Sequence, residues 1–497
     1  MGRIQKSNAI QLFGMIITSL IIQVISLAKS SIIASNFGAG VELDAFHFSN
    51  NIAAFITTFV AGGVTTVVLP EYVRRAKREN VDSFLTCVFS VVAILFLSLF
   101  LFRNPIVNFI TGKGDEFLTY SDSLLGWVII AQSITAVLSV TAAHYQAQNN
   151  FITPKIITLC VNALSLIVMA YMKSLTIHQY VLLICIMGVA QLLVDVTIAI
   201  KQGFRFSLRF NWLNQDTVRL LKIFVPILIS TGVYKIHGLI DTAITSSLAA
   251  GSLTILSYSN QIVTAVNSLI IGNLLLFAYP RIVQAASQSE TNAISATREY
   301  GSGFHLVVGF LVVGFFAIGE DAIMLLFGHG RFDSDAVRKT FICTFIYLFG
   351  QQFNIVRDLI YRFYYAEKDT VTTLRNSIMI SLLNIILSLI FVRVWQLYGV
   401  VLGTVISSCW SLLRITRVTQ KKYDAAEQIK GMGIDFLRTA FSVSFSCALI
   451  WWISRFLCFE SIWCSIFIYG LISLVIYGLC TFVVHNDMMK QLVKRCK

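Results

Sequence analysis

Lys29, Asp44, Lys235, His237, Asp241 and Arg357 are ionisable residues set in or at the ends of otherwise apolar runs. Such positions are costly in a bilayer and mark ion or substrate paths by default. His237 and Asp241 are four residues apart and share one helix face, whereas Lys235 and His237 diverge. Uncharged polar residues crowd two further points: Ser49, Asn50, Asn51 and Thr57, and then Ser259, Asn260 and Gln261. Cations and amides gathered in a water-filled cavity would suit an anionic group such as a diphosphate. Duller roles fit Asp195, which is followed by Lys201, and Arg362, which reads as an anchor near a span end. The ten cysteines are scattered, with no Cys-x-x-Cys pair, so no zinc site or disulfide framework is expected. Gly38-Ala39-Gly40 and Gly62-Gly63 lack the Lys-Ser/Thr of a phosphate-binding loop, and no nucleotide site is expected.

The elements that must position these groups are membrane helices. Of 497 residues, 56% are apolar and 13% charged, and the mean hydropathy is +0.76. A span takes about 20 largely apolar residues, so the apolar content suffices for about fourteen. Runs of that length fall near 10–34, 46–70, 83–102, 124–144, 154–172, 180–200, 222–245, 253–279, 303–326, 341–365, 374–394, 398–415, 436–456 and 461–484. The first is too long for a signal-peptide core and reads as a span. With the N-terminus inside, 25 of the 38 Lys and Arg fall on cytoplasmic connections and termini, including Arg74, Arg75, Lys77 and Arg78. Seven fall outside, and six lie within or beside spans. This bias predicts both termini in the cytoplasm. It also accounts for the +13 net charge as orientation and contact with anionic lipid, without nucleic acid as a partner.

Two stretches match at an offset of 210. Ser49-Asn50-Asn51-Ile52 corresponds to Ser259-Asn260-Gln261-Ile262, and Pro70, Val73 and Ala76 correspond to Pro280, Val283 and Ala286. A weaker echo pairs spans with a central Asn, Asn162 and Asn384. Six spans separate the copies, an even number, so both insert with one orientation. The expected fold is therefore an all-α polytopic membrane protein of fourteen transmembrane helices. Two six-helix lobes are related by a parallel repeat, with two extra C-terminal helices. The expected divisions are 1–205, 206–422 and 423–497.

The stretch from Lys29 to Pro70 contains Gly38-Ala39-Gly40-Val41-Glu42-Leu43-Asp44-Ala45-Phe46 and resembles the first two helices of the MurJ (MviN) family. That family belongs to the multidrug/oligosaccharidyl-lipid/polysaccharide exporter superfamily. Further likenesses are Leu326-Phe327-Gly328-His329-Gly330-Arg331-Phe332-Asp333 and Phe363-Tyr364-Tyr365-Ala366-Glu367-Lys368-Asp369-Thr370. The resemblance implies a lipid II flippase of the bacterial cytoplasmic membrane, moving an undecaprenyl-diphosphate-linked muropeptide, with spans 13 and 14 forming a groove for the polyprenyl tail. It also implies a cationic central cavity and, as in some members, a sodium site. The corresponding residues here are Asp241, Asn384, Ser388, Val400 through its carbonyl, and Thr404. Ser388 stands where sodium-binding members have a carboxylate. Four cavity positions that are usually Arg in the family read Gln23, Lys29, Thr57 and Gln261 here.

The expected function is thus a monomeric flippase for an undecaprenyl-diphosphate-linked saccharide, lipid II foremost, working by alternating access. Lys29, Asp44, Asn50, Asn51, Thr57, Lys235, His237, Asn260, Gln261 and Arg357 are the candidate substrate contacts. Sodium or the membrane potential would drive it, and no other cofactor is expected. A capsule or O-antigen flippase explains a more neutral cavity as well, and a cation-coupled small-molecule exporter of the same superfamily would need only twelve spans. A membrane-embedded glycan polymerase or ligase would need a catalytic pair on an outer loop. There Asp115, Glu116, Asp122, His329 and Asp333 are the weak candidates.

Overall fold

A computed structural model describes residues 2–73, 78–111, 115–172, 174–211, 214–457 and 459–484. Arg74, Arg75 and Lys77 lie outside the described residues. Sixteen α-helices follow one another among those described: α1 (Gly2–Phe37), α2 (Val41–Gly63), α3 (Leu69–Val73), α4 (Arg78–Leu101), α5 (Arg103–Thr111), α6 (Asp115–Ala147), α7 (Ile152–Tyr171) and α8 (Ile177–Lys201). They continue as α9 (Gln215–Ser246), α10 (Ser252–Val266), α11 (Gly272–Ala286), α12 (Glu290–Phe327), α13 (Ser334–Ala366), α14 (Thr370–Tyr423), α15 (Ala426–Ile453) and α16 (Ile462–Val484). No strand occurs among the described residues. The all-helical membrane fold expected from the apolar runs is the one observed. Among the described residues, ten helical segments are long and apolar enough to cross a bilayer.

Every apolar run falls on a helix. The gap between the runs at 374–394 and 398–415 coincides with Gln396, whose φ of 49° and ψ of −123° interrupt α14. In each repeat copy a π-helical turn, Val64–Val68 and Asn267–Ile271, precedes the matched proline. Proline cannot donate to the helix ladder, and the turn just before Pro70 is widened accordingly, whereas Pro280 lies further on, inside α11.

The chain forms two compact units, Met1–Thr254 with Gly330–Phe332, and Ile255–His329 with Asp333–Lys497. In the first, α2 packs on α6 and α9, α1 on α7, and α8 on α6 and α7. In the second, α12 lies against α11, α13, α15 and α16. A side chain at Gly309 on α12 would collide with the Tyr477 hydroxyl. That hydroxyl donates to the Leu306 carbonyl at 2.9 Å, which seats α16 closely. Outward faces are apolar: Leu193, Leu276, Phe467 and Val483 are all exposed, as lipid-facing surface requires.

Capping explains several boundaries. Thr176 and Gln179 form a reciprocal capping box at the start of α8. Asp369 caps α14, accepting from the Thr372 N–H at 3.0 Å and the Thr372 hydroxyl at 2.6 Å. It also accepts from Lys422 Nζ at 2.6 Å. Burial by itself would raise the Asp369 carboxyl, but the bonds from Lys422 and Thr372 outweigh it and hold the group at about 2. Folding lowers this pKa, so its stabilisation is present above the unfolded value of 3.8 and is lost as the pH falls toward 2. Asp369→Ala should lower the melting temperature of the detergent-solubilised protein at pH 7, with a cap cost of about 1 kcal/mol. In melts taken at pH 5, 4 and 3, the gap from the parent protein should narrow stepwise.

Candidate functional site

The first unit holds a cavity of about 210 Å³ with mixed polar and apolar walls, bounded by α1, α2, α6, α7 and α8. Lys29 projects from α1, and its Nζ donates to Asn162 Oδ1 on α7 at 2.6 Å. Asn162 Nδ2 donates to the Thr158 carbonyl at 2.8 Å, which fixes which way the amide faces. Gln191 on α8 donates to the Thr158 hydroxyl at 3.1 Å. On the other wall, Gln132 of α6 donates to Asn50 Oδ1 of α2 at 2.9 Å. Among the described residues that line the cavity, Lys29 is the single charged one and none is a carboxylate. The cavity is therefore cationic, with amides and hydroxyls ready to satisfy oxygen-rich ligands.

Thr57 lies beneath this wall. It is buried, and its hydroxyl donates back to the Ala53 carbonyl and across to the Gln132 carbonyl, each at 3.3 Å. Asn51 faces α9 and donates to the Thr242 hydroxyl at 3.1 Å. On α9, Lys235 is exposed, His237 is half-buried and Asp241 is buried.

Asp44 sits elsewhere. It is fully buried, and its carboxylate accepts from the Gly251 N–H, the Thr254 N–H and the Thr254 hydroxyl, each at 2.8 Å. It caps the first turn of α10 across about two hundred residues of sequence. Close backbone approach surrounds it. Gly38 and Gly251 have φ of +63° and +85°, and a side chain on either would strike the carbonyl of Arg331 or Ala39. The Gly-Ala-Gly-x-x-x-Asp motif thus serves backbone docking in this structure.

In the second unit, Asn260 is exposed and Gln261 half-buried. Arg357 donates through Nε and Nη2 to Asp358 Oδ1 at 3.0 and 2.9 Å. Four of the cation candidates also lie in this unit. Asn384 Nδ2 donates to Thr404 Oγ1 at 2.9 Å, and Thr404 donates to the Val400 carbonyl at 3.3 Å. Asn384 Oδ1 is buried with no hydrogen-bond partner among the described residues, and Ser388 and Val400 are fully buried. Asp241 belongs to the first unit. Among the described residues no group of three His, Cys, Asp or Glu forms a metal cluster.

Sequence reasoning does not single out Gln132 and Gln191 as site residues, and Asn162 enters it only as the centre of a repeat span. The signal is there, since each is an amide inside an apolar run.

A family model described as "Lipid II flippase MurJ" matches residues 33–471. The chain belongs to this family. Probable lipid II flippases MurJ of Thermotoga maritima and Borreliella burgdorferi are similar to it. The first is 23% identical and aligns over 84% of this chain and 88% of its own length. The second is 21% identical, aligned over 79% of each chain. Among solved structures, a lipid II flippase MurJ in an inward closed conformation superposes with a TM-score of 0.78 at 19% identity, covering 95% of this chain and 99% of its own. The Vibrio cholerae MATE transporter VcmN in its bent form superposes less well, with a TM-score of 0.53 at 16% identity over 87% of this chain and 99% of its own. As a MurJ family member the protein is a multi-pass membrane transporter and not an enzyme.

Asp44 and Lys29 should separate in experiment. Asp44→Ala leaves two backbone N–H groups and a hydroxyl unpaired in the interior, a loss of about 2 kcal/mol or more. Thermal melts without substrate should show Asp44→Ala markedly destabilised and Lys29→Ala close to the parent protein. Equal melting of Asp44→Ala and the parent would refute the capping role.

Proposed function

We propose that this MurJ family protein carries lipid II, an undecaprenyl-diphosphate-linked muropeptide, across the bacterial cytoplasmic membrane by alternating access. The reading includes fourteen crossings, both termini in the cytoplasm and a monomeric transporter. The observation that carries it is the lone Lys29 ammonium in a pocket of amides without a carboxylate. Such a pocket favours a phosphate-bearing group by charge and by hydrogen bonding. At about 210 Å³ it would take only the anionic part of the head group. The expected three-part division into two six-span lobes and a C-terminal pair remains part of this proposal, with α15 and α16 beside the prenyl tail.

A second reading rests on a specific departure. Gln23, Thr57 and Gln261 supply no charge at positions where the family resemblance implies Arg, and Lys29 lacks the bidentate fork of Arg. A capsule or O-antigen repeat unit on the same lipid carrier would suit this more neutral set. Complementation distinguishes them. A strain depleted of its own lipid II flippase should regain growth when this chain is expressed. Lys29→Ala should abolish the rescue at unchanged membrane abundance, while Lys29→Arg should retain it. No rescue there, together with rescue of a capsule or O-antigen flippase mutant, would overturn the lipid II assignment.

For the driving force we propose sodium, held within the second unit by Asn384, Thr404, the Val400 carbonyl and Ser388. These are hard oxygen donors of the kind sodium takes, and the unpartnered Asn384 Oδ1 supports the fit. The membrane potential is the alternative, worth about 2.3 kcal/mol per charge at 100 mV. In a vesicle flipping assay, replacing sodium by choline should slow transport several-fold, and Asn384→Ala should remove that dependence. Transport that follows only the imposed potential would exclude sodium.

A further inference from the structure

A second cavity in the first unit lies outside everything described so far. It is a groove of about 740 Å³ between α4 and α6, reaching to the start of α5. That volume falls within the usual range of ligand sites, about 300–1,000 Å³. Its walls are apolar and aromatic, with Phe96 and Phe100 from α4 and Trp127 from α6. Gly126 keeps one wall open, since a side chain there would come within 3.2 Å of the Phe100 ring. One end of the groove is charged. Arg103 pairs through Nε with Asp122, donates through Nη1 to the Phe100 carbonyl at 3.0 Å, and lies 4.6 Å from the centre of the Phe100 ring.

This is an amphiphile's outline: a long apolar slot closed at one end by two opposite charges side by side. Both charged side chains are partly open, 28% for Arg103 and 36% for Asp122. Close by, Phe102 and Phe109 are 59% and 92% exposed, a mixture of bare aromatic and charged surface that suits the bilayer interface. The net charge of the pair decides the headgroup. An anionic headgroup would gain the guanidinium but be repelled by the Asp122 carboxylate. A headgroup carrying both a phosphate and an ammonium complements both, phosphate on Arg103 and ammonium on Asp122.

We infer that the α4–α6 groove binds a zwitterionic glycerophospholipid of the surrounding membrane, its acyl chain along Phe96, Phe100 and Trp127 and its headgroup on the Arg103–Asp122 pair. The inference does not depend on which lipid-linked saccharide is transported. The test is native mass spectrometry of the full chain released from detergent, with phosphatidylethanolamine or phosphatidylglycerol of matched acyl chains as probes. The parent protein should retain phosphatidylethanolamine about tenfold better than phosphatidylglycerol. Asp122→Asn leaves a net positive end and should shift the preference toward phosphatidylglycerol. Ala93→Trp, which fills the groove from an exposed position on α4, should lose the retained lipid at unchanged melting temperature. Equal retention of the two lipids by the parent, an unaltered preference in Asp122→Asn, or full retention in Ala93→Trp would each overturn the inference.

Discussion

Hydrocarbon offers no partner to a backbone N–H or carbonyl, and the architecture follows from that constraint. Every described crossing element is a helix, and a number of side-chain hydroxyls find a partner within their own helix. Thr58, Thr86, Ser377 and Thr419 each donate to the carbonyl four residues earlier, at 2.7–2.9 Å. Back-bonding of this kind lets a span carry Ser and Thr without demanding a partner from a neighbouring helix. Departures from regular helix are local and placed: the break at Gln396, the two π-helical turns, and the left-handed glycines at the loops. The carboxylate of Asp44 answers the same demand, because it satisfies two N–H groups at the buried start of a helix.

That constraint also explains which features were legible in the sequence. Helices were, because apolar length is a direct demand of the bilayer, and even the α14 break fell where two apolar runs parted. Boundaries with reciprocal caps, such as Thr176 with Gln179 or Asp369 with Thr372, carry their signal within four residues. The site was less legible, because a residue type does not say what its atoms will meet. Asp44 and Lys29 look alike as rare charges in apolar runs. Only the three-dimensional arrangement separates them, one used in capping a distant helix and the other standing in a cavity. Thr57 shows the same limit, since its hydroxyl is already shared between two carbonyls. Conversely Gln132, Asn162 and Gln191 carry no charge and so did not stand out. An amide can nevertheless build a binding wall as well as a cation can.

The composition of the Lys29 pocket bears on how a carrier both holds and releases an anion. A carboxylate beside Lys29 would neutralise it, and any incoming phosphate would have to displace that partner. Neutral amides do otherwise. Asn162 gives the ammonium one good hydrogen bond at 2.6 Å, which offsets part of its desolvation without cancelling its charge. The positive potential is left available to the phosphate, on the proposed reading. A carrier needs an affinity that differs between its two states, not one that is merely strong. A single ammonium offers one directional contact, while an Arg fork offers two. A modest change in the distance between α1 and α7 would therefore alter the hold on an anion substantially. Sparse charge in this pocket is then consistent with transport, because the substrate must leave the site as readily as it enters.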